Sequence, residues 1–181
     1  MAAFAHLGIG LAAKRAVPKV TLAVLILCAW GIDVIFGIFF LAGIEHPPHG
    51  EAASPSPWSH GLFMSVIWSA AAYFTARLLR QDKRTSFLLA LLVFSHWVID
   101  LITHPMLAAF PYDTGLPLLF YNSPLVGFGL YSYQWGVNIG EYGSLILGLA
   151  VYIFTIRSSR SALKAQPTEK TITEAHYEDL Q

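Results

Sequence analysis

The sequence predicts an all-α polytopic membrane protein, with four transmembrane helices and a short N-terminal interfacial or re-entrant helix. Three observations predict it. Of 181 residues, 55% are hydrophobic and only 12% charged, against about 25% charged in an ordinary soluble domain. Apolar runs recur at the length of about 20 residues that a bilayer core demands. The eleven basic residues fall only at the ends of those runs, and eleven acidic residues bring the formal net charge to zero. A chain without a basic excess offers no electrostatic attraction for nucleic acid.

The spans follow in order. The first covers about Val20 to Ile44 and begins after Pro18; the second covers about Gly61 to Leu79. The third covers about Ser86 to Ile102, and the fourth about Ile139 to Ile156. Gly140, Gly143, Ser144 and Gly148 give the fourth span a surface of small residues on which another helix can pack closely. The opening segment, Ala2 to Ala13, is too short to span and is followed by Lys14 and Arg15. Two units result: a single transmembrane helical domain over 1–157, and a polar cytoplasmic tail over 158–181 that reads as disordered or as a short surface helix. His176 in that tail has no evident chemistry.

Orientation follows from the basic residues. Lys14, Arg15 and Lys19 precede span one; Arg77, Arg80, Lys83 and Arg84 join spans two and three; Arg157, Arg160, Lys164 and Lys170 follow span four. The connections Glu45 to His60 and Thr103 to Asn138 hold none. Both termini are therefore expected in the cytoplasm, with those two connections outside. A cleavable signal peptide is not expected, because the basic cluster follows the first apolar stretch and the next run is too long. The longer connection interleaves Pro105, Pro111, Pro117 and Pro124 with Phe110, Tyr112, Phe120 and Tyr121, an aromatic cap at the membrane surface or a lid.

Ionisable residues at membrane depth are costly and mark functional sites. Asp33 lies 14 residues beyond Lys19, roughly 20 Å along a helix; His96 lies 12 beyond Arg84, roughly 18 Å along its own. Asp100 and His104 follow His96 at i+4 and i+8, which places all three on one face. His60 opens span two, Glu141 stands near the outer end of span four, and His6 lies on the short opening helix. With no lysine or arginine near, two aspartates at depth need either protons or a bound cation. The candidate ligands of a divalent metal, with zinc among the choices, are His6, Asp33, His60, His96, Asp100 and His104. Asp33 and Asp100 double as candidate catalytic carboxylates. Each residue alone has a structural explanation as a cap or an interhelical hydrogen bond; their convergence is what favours a site. His46 and His49 read as solvated loop residues, and Cys28, the single cysteine, as inert packing.

The motifs then take on a resemblance. The ordered set is Phe-Ala-His-Leu-Gly-Ile-Gly-Leu-Ala-Ala-Lys-Arg (Phe4 to Arg15), Gly-Ile-Asp ending at Asp33, Pro-Trp-Ser-His-Gly-Leu (Pro57 to Leu62), Ser-His-Trp-Val-Ile-Asp-Leu-Ile-Thr-His (Ser95 to His104) and Gly-Phe-Gly-Leu-Tyr (Gly127 to Tyr131). It resembles a group of uncharacterised bacterial integral membrane proteins. More distantly, it is similar to the YdjM-like inner-membrane family named as metal-dependent hydrolases. The resemblance implies polar positions at His6, Asp33, His60, His96 and Asp100, with His104 added from spacing. The family's Asp-x-Asp falls here on Gly31 and Asp33, and its double-His motif on His60 alone.

Three functions compete. The first is a multi-pass hydrolase of the bacterial inner membrane, using a divalent metal on a lipid or other amphipathic substrate. The second is a proton-coupled transporter or channel subunit, completed by forming a homo-oligomer, in which Asp33, His96 and Asp100 relay protons. The third is a non-enzymatic assembly protein that binds partners through its outer loops. No P-loop, dinucleotide fingerprint, His-Glu-x-x-His or nucleophile elbow is present.

Overall fold

The computed structural model describes residues 2–46 and 56–164, most of them helical. His49 and the tail beyond 164, with His176, lie outside the described residues. Three helices are long and apolar enough to cross a membrane: α2 (Leu22–Leu41), α5 (Lys83–Thr103) and the continuous stretch Gln134–Ser161. The last is built from α6 (Gln134–Asn138), a π-helical turn (Ile139–Gly143) and α7 (Ser144–Lys164). The helix α4 (Leu62–Leu78) is apolar but has 17 residues, about 25 Å at helical rise and short of a hydrocarbon core of about 30 Å. The expectation of four spans is thus met at three.

Helix boundaries have local causes. Asp82 caps α5 by accepting from the Thr85 N–H at 3.0 Å and the Thr85 hydroxyl at 2.6 Å, the usual role of a short acidic side chain at an N-terminus. The end of α4 turns through Arg80 in the left-handed region (φ 61°), and the Gln81 N–H returns to the Ala76 carbonyl. The apolar surface is turned outward: Leu27, Leu41, Phe74, Leu78 and Leu147 are exposed large side chains. In water that pattern would be unfavourable; it is compatible with a membrane protein. The last helix runs to Lys164, so the first seven residues of the expected polar tail are helical.

The short helix α1 (Ala3–Ala12) decides the architecture. It packs against α7, α2 and α5, burying Ala5, His6, Gly8, Gly10 and Leu11 while Phe4 and Ile9 stay exposed. Its direction follows from its contacts. Ala2 and Ala5 cluster with Met106 and Tyr131, the Trp30 indole N–H donates to the Ala3 carbonyl at 2.9 Å, and Arg15 sits over the Phe154 ring. The helix therefore starts beside the 103–138 connection and descends toward Lys14 and Arg15.

Two features hold α1 there. Gly8 lies directly on the Ser144 backbone and Gly148 on the Gly8 backbone, so that a Cβ at either would overlap main-chain atoms. The π-helical turn rotates buried Glu141 inward, where its Oε2 accepts from the Phe4 N–H at 2.7 Å and the Ala5 N–H at 3.1 Å. Those are two of the four donors an α-helix start leaves unpaired.

The 103–138 connection caps the same end of the bundle. It folds a two-residue antiparallel pairing, β1 (Leu116–Pro117) with β2 (Leu125–Val126). Phe120 packs on Trp58 and Phe63, the Phe63 N–H bonds the Leu118 carbonyl at 3.1 Å, and the Tyr121 hydroxyl bonds the Ile44 carbonyl at 3.1 Å. These contacts seat the connection on α3 (Pro57–His60) and the start of α4.

Candidate metal centre

Five side chains from four helices meet behind this cap: His6 of α1, Asp33 of α2, His60 of α3, and His96 and Asp100 of α5. His96 Nε2 lies 3.3 Å from Asp100 Oδ2 and 3.7 Å from Asp33 Oδ1. His60 Nε2 lies 3.4 Å from Asp33 Oδ1 and 3.6 Å from Asp100 Oδ2. The two imidazole nitrogens and two carboxylate oxygens thus alternate around a closed ring. His6 Nε2 approaches the other oxygen of Asp100, Oδ1, at 3.2 Å, and its ring stacks on His96 with centroids 3.7 Å apart.

The outer nitrogens fix where each ring carries a proton. His96 Nδ1 is 2.8 Å from the Ala29 carbonyl oxygen; a carbonyl only accepts, so Nδ1 carries the proton. His60 Nδ1 is 2.8 Å from Ser59 Oγ. That hydroxyl spends its own proton on Glu45 Oε2 at 2.6 Å, so it accepts from His60, and Nδ1 is again the protonated nitrogen. In their neutral form, His60 and His96 both point bare Nε2 lone pairs at two carboxylates. His96 Nε2 is fully buried with no hydrogen bond.

Four electron-rich atoms facing one another repel unless protons or a cation lie among them. Among the described residues no lysine or arginine pairs with the group; every ion pair here joins a histidine to an aspartate. Two overlapping groups of these residues could each hold a metal ion, His6 with His96 and Asp100, and Asp33 with His60 and His96, since one donor atom from each residue lies within 4.8 Å of the others. Tetrahedral bonds of about 2.0–2.2 Å, multiplied by the edge-to-radius ratio of about 1.63, place neighbouring donors about 3.3–3.6 Å apart. The four histidine–aspartate separations, four of the six edges of such a tetrahedron, run from 3.3 to 3.7 Å. Each histidine is also oriented by an acceptor on its far nitrogen, the usual arrangement around a metal-bound imidazole.

Access is one-sided. The side chains of His96, His6 and Asp100 are 0%, 1% and 3% exposed, whereas those of Asp33 and His60 are 10% and 13% exposed. Asp33 and His60 form the open side, with Phe36 edge-on to the His60 ring at 5.5 Å. The linkage Ser59–His60–Asp33 has the connectivity of a nucleophilic triad, but Ser59 is fully buried and its proton is directed away to Glu45. It is not placed to attack a substrate.

His104 does not join this group. The helix α5 ends at Thr103, and His104 is in extended conformation. The helical stripe therefore stops at Asp100, and His104 Nδ1 lies 2.7 Å from Asp113 Oδ2 instead. Asp113 also accepts from the Met106 N–H at 2.6 Å and the Gly115 N–H at 3.0 Å. Burial alone would raise its pKa, but His104 and these two amides outweigh it and hold the carboxyl below its ordinary range. A depressed carboxylate pKa stabilises the fold above the unfolded value of about 3.9 and loses that contribution as pH falls. Asp113→Ala should cost about 1–3 kcal/mol by stripping these bonds. Thermal unfolding at pH 7 and at pH 3 should show the wild-type advantage over the variant shrinking at the lower pH.

Glu45 and Ser59 were not legible as site residues. The only hint is an acidic residue directly after a long apolar run, and a serine directly before His60. His46 is exposed, as a loop histidine should be, and Cys28 is half-buried and unpaired. No family model, curated protein or solved structure matches the chain, so the donor geometry stands as the ground for any functional reading.

Proposed function

We propose that this protein is a membrane-embedded, metal-dependent hydrolase whose divalent metal is held by Asp33, His60, His96 and Asp100. One observation carries the reading: the Nε2 atoms of His60 and His96, with their other nitrogens committed, face the two aspartate oxygens at 3.3–3.7 Å. A bound metal supplies Lewis-acid activation of water for hydrolysis near neutral pH. Histidine and carboxylate donors suit zinc, and also iron, manganese or nickel.

The chain's own residues have distinct parts. His6 donates to Asp100 Oδ1 and turns Oδ2 toward the histidines. Asp33, on the open side, is the carboxylate placed to take a proton from an incoming nucleophile. The substrate is a lipid or other amphipathic ester that reaches Asp33 and His60 from the bilayer, since the surrounding helix surface is apolar. In this reading α4 crosses as a fourth span, with local thinning of the bilayer offsetting its short length. The bacterial inner membrane is the setting that the family resemblance suggests. Lys14, Lys19, Arg157 and Arg160 face the cytoplasm; Ala2 lies toward the outer side, beside the 103–138 connection.

Elemental analysis of detergent-purified, monodisperse protein tests this. The expected result is about one divalent transition metal per chain, removed by chelator and restored by metal. Folded protein that neither contains nor takes up such a metal would overturn the proposal. Proteoliposome proton flux that needs Asp33 but no metal would favour a carrier instead.

A further inference from the structure

Resting on the metal reading above, we infer that Ser59 and Glu45 are positioning residues: they lock His60 with its proton on Nδ1 and leave Nε2 free to bind a cation. Glu45 is 1% exposed and Ser59 is fully buried. Glu45 Oε1 accepts from the Trp58 and Ser59 N–H groups at 2.8 and 3.1 Å, and Oε2 accepts from the Ser59 hydroxyl at 2.6 Å. A carboxylate is acceptor-only, so the Ser59 proton has one place to go, and the lone pair left on Oγ receives His60 Nδ1–H. The direction of every bond in the chain from Glu45 to His60 is thereby set at the carboxylate.

The plainer role of Glu45 is to staple the start of α3, where Ser56 makes no capping bond. Its two oxygens separate the two roles. Oε1 holds the backbone; Oε2 acts only through Ser59. Ser59→Ala removes the link to His60 and leaves both backbone bonds in place. Glu45→Gln is sharper. Its carbonyl oxygen can still hold the backbone, but its amide donates toward Ser59, which must then donate to His60 Nδ1 and force the ring proton onto Nε2. A nearly isosteric change would reverse the chain and block the metal-binding nitrogen.

Two measurements on the full-length purified protein test this: histidine ring ¹⁵N NMR of the metal-free form, and zinc affinity by competition with a chelator. The wild type should show His60 as the Nδ1–H tautomer; E45Q should show Nε2–H. Both S59A and E45Q should bind zinc about 10–100-fold more weakly, the usual effect of losing a residue that orients a ligand. If the wild type takes up neither zinc nor iron, manganese or nickel, the metal reading fails and this inference with it. If it takes up zinc but both variants match its affinity and keep its His60 ring signals, Ser59 and Glu45 have no positioning role, and the metal reading survives.

Discussion

His96→Ala should purify without metal and with markedly reduced stability. The ring is fully buried, donates to the Ala29 carbonyl and stands between two aspartates. Removing it takes away one donor and leaves Asp33 and Asp100 with one fewer partner; stripping a buried charge of its partner costs about 3–5 kcal/mol. Because a destabilised variant could lose metal by unfolding, Asp100→Asn is the companion test. It preserves shape and removes one ionised oxygen, so it should remain monodisperse yet hold far less metal. His104→Ala should keep full metal content, since that ring lies against Asp113 and not in the cluster. Metal analysis of the three variants against wild type, alongside their thermal midpoints in detergent, checks the set. Metal lost in H104A, or kept in H96A, would contradict the geometry.

Gly148→Ala should separate α1 from α7. A Cβ at position 148 would fall on the Gly8 backbone, and main chain cannot move aside as a rotamer can. Overpacking of a side-chain core costs about 1–3 kcal/mol; a clash between two helix backbones belongs at or above the top of that range. The functional consequence is larger than the stability term, because α1 carries His6 to Asp100 and brings Phe4 and Ala5 to Glu141. G148A should therefore lower the thermal midpoint and weaken metal retention together. Gly31→Ala and Gly37→Ala are the controls: nothing lies within 4 Å of a Cβ at either position, and both should be neutral or slightly stabilising. Equal stability of G148A and G31A would show that the close approach of α1 and α7 is unimportant.

Much of this was readable in one dimension because its causes are local. Apolar run length marked the α2, α5 and α7 regions, and the spacing of four residues between His96 and Asp100 placed them on one helical face. The gathering of Asp33 and His60 to that pair was legible too, since charged groups at membrane depth have few stable alternatives to one another. The same reasoning extended the stripe one residue too far. Periodicity assumes that the helix continues, and α5 stops where the Phe128 N–H takes the Leu101 carbonyl and the Gly129 N–H takes the His104 carbonyl. Pro105 is the local signal that was passed over, since the residue before a proline is driven to extended conformation; the partners that fix the end lie more than twenty residues away.

From the sequence alone come the helices, their apolar faces and the identity of five polar groups that have no place in lipid. Those follow from hydrophobicity and from the 3.6-residue turn, which act between near neighbours along the chain. Tertiary structure decided the rest: that α1 descends into the bundle with His6 on Asp100, that Glu141 holds its first turn, that His104 turns aside to Asp113, and that Glu45 and Ser59 set the proton on His60. Each of these is a hydrogen bond or ion pair aimed at one partner. Such bonds depend on distance and angle in three dimensions, which composition and periodicity do not encode.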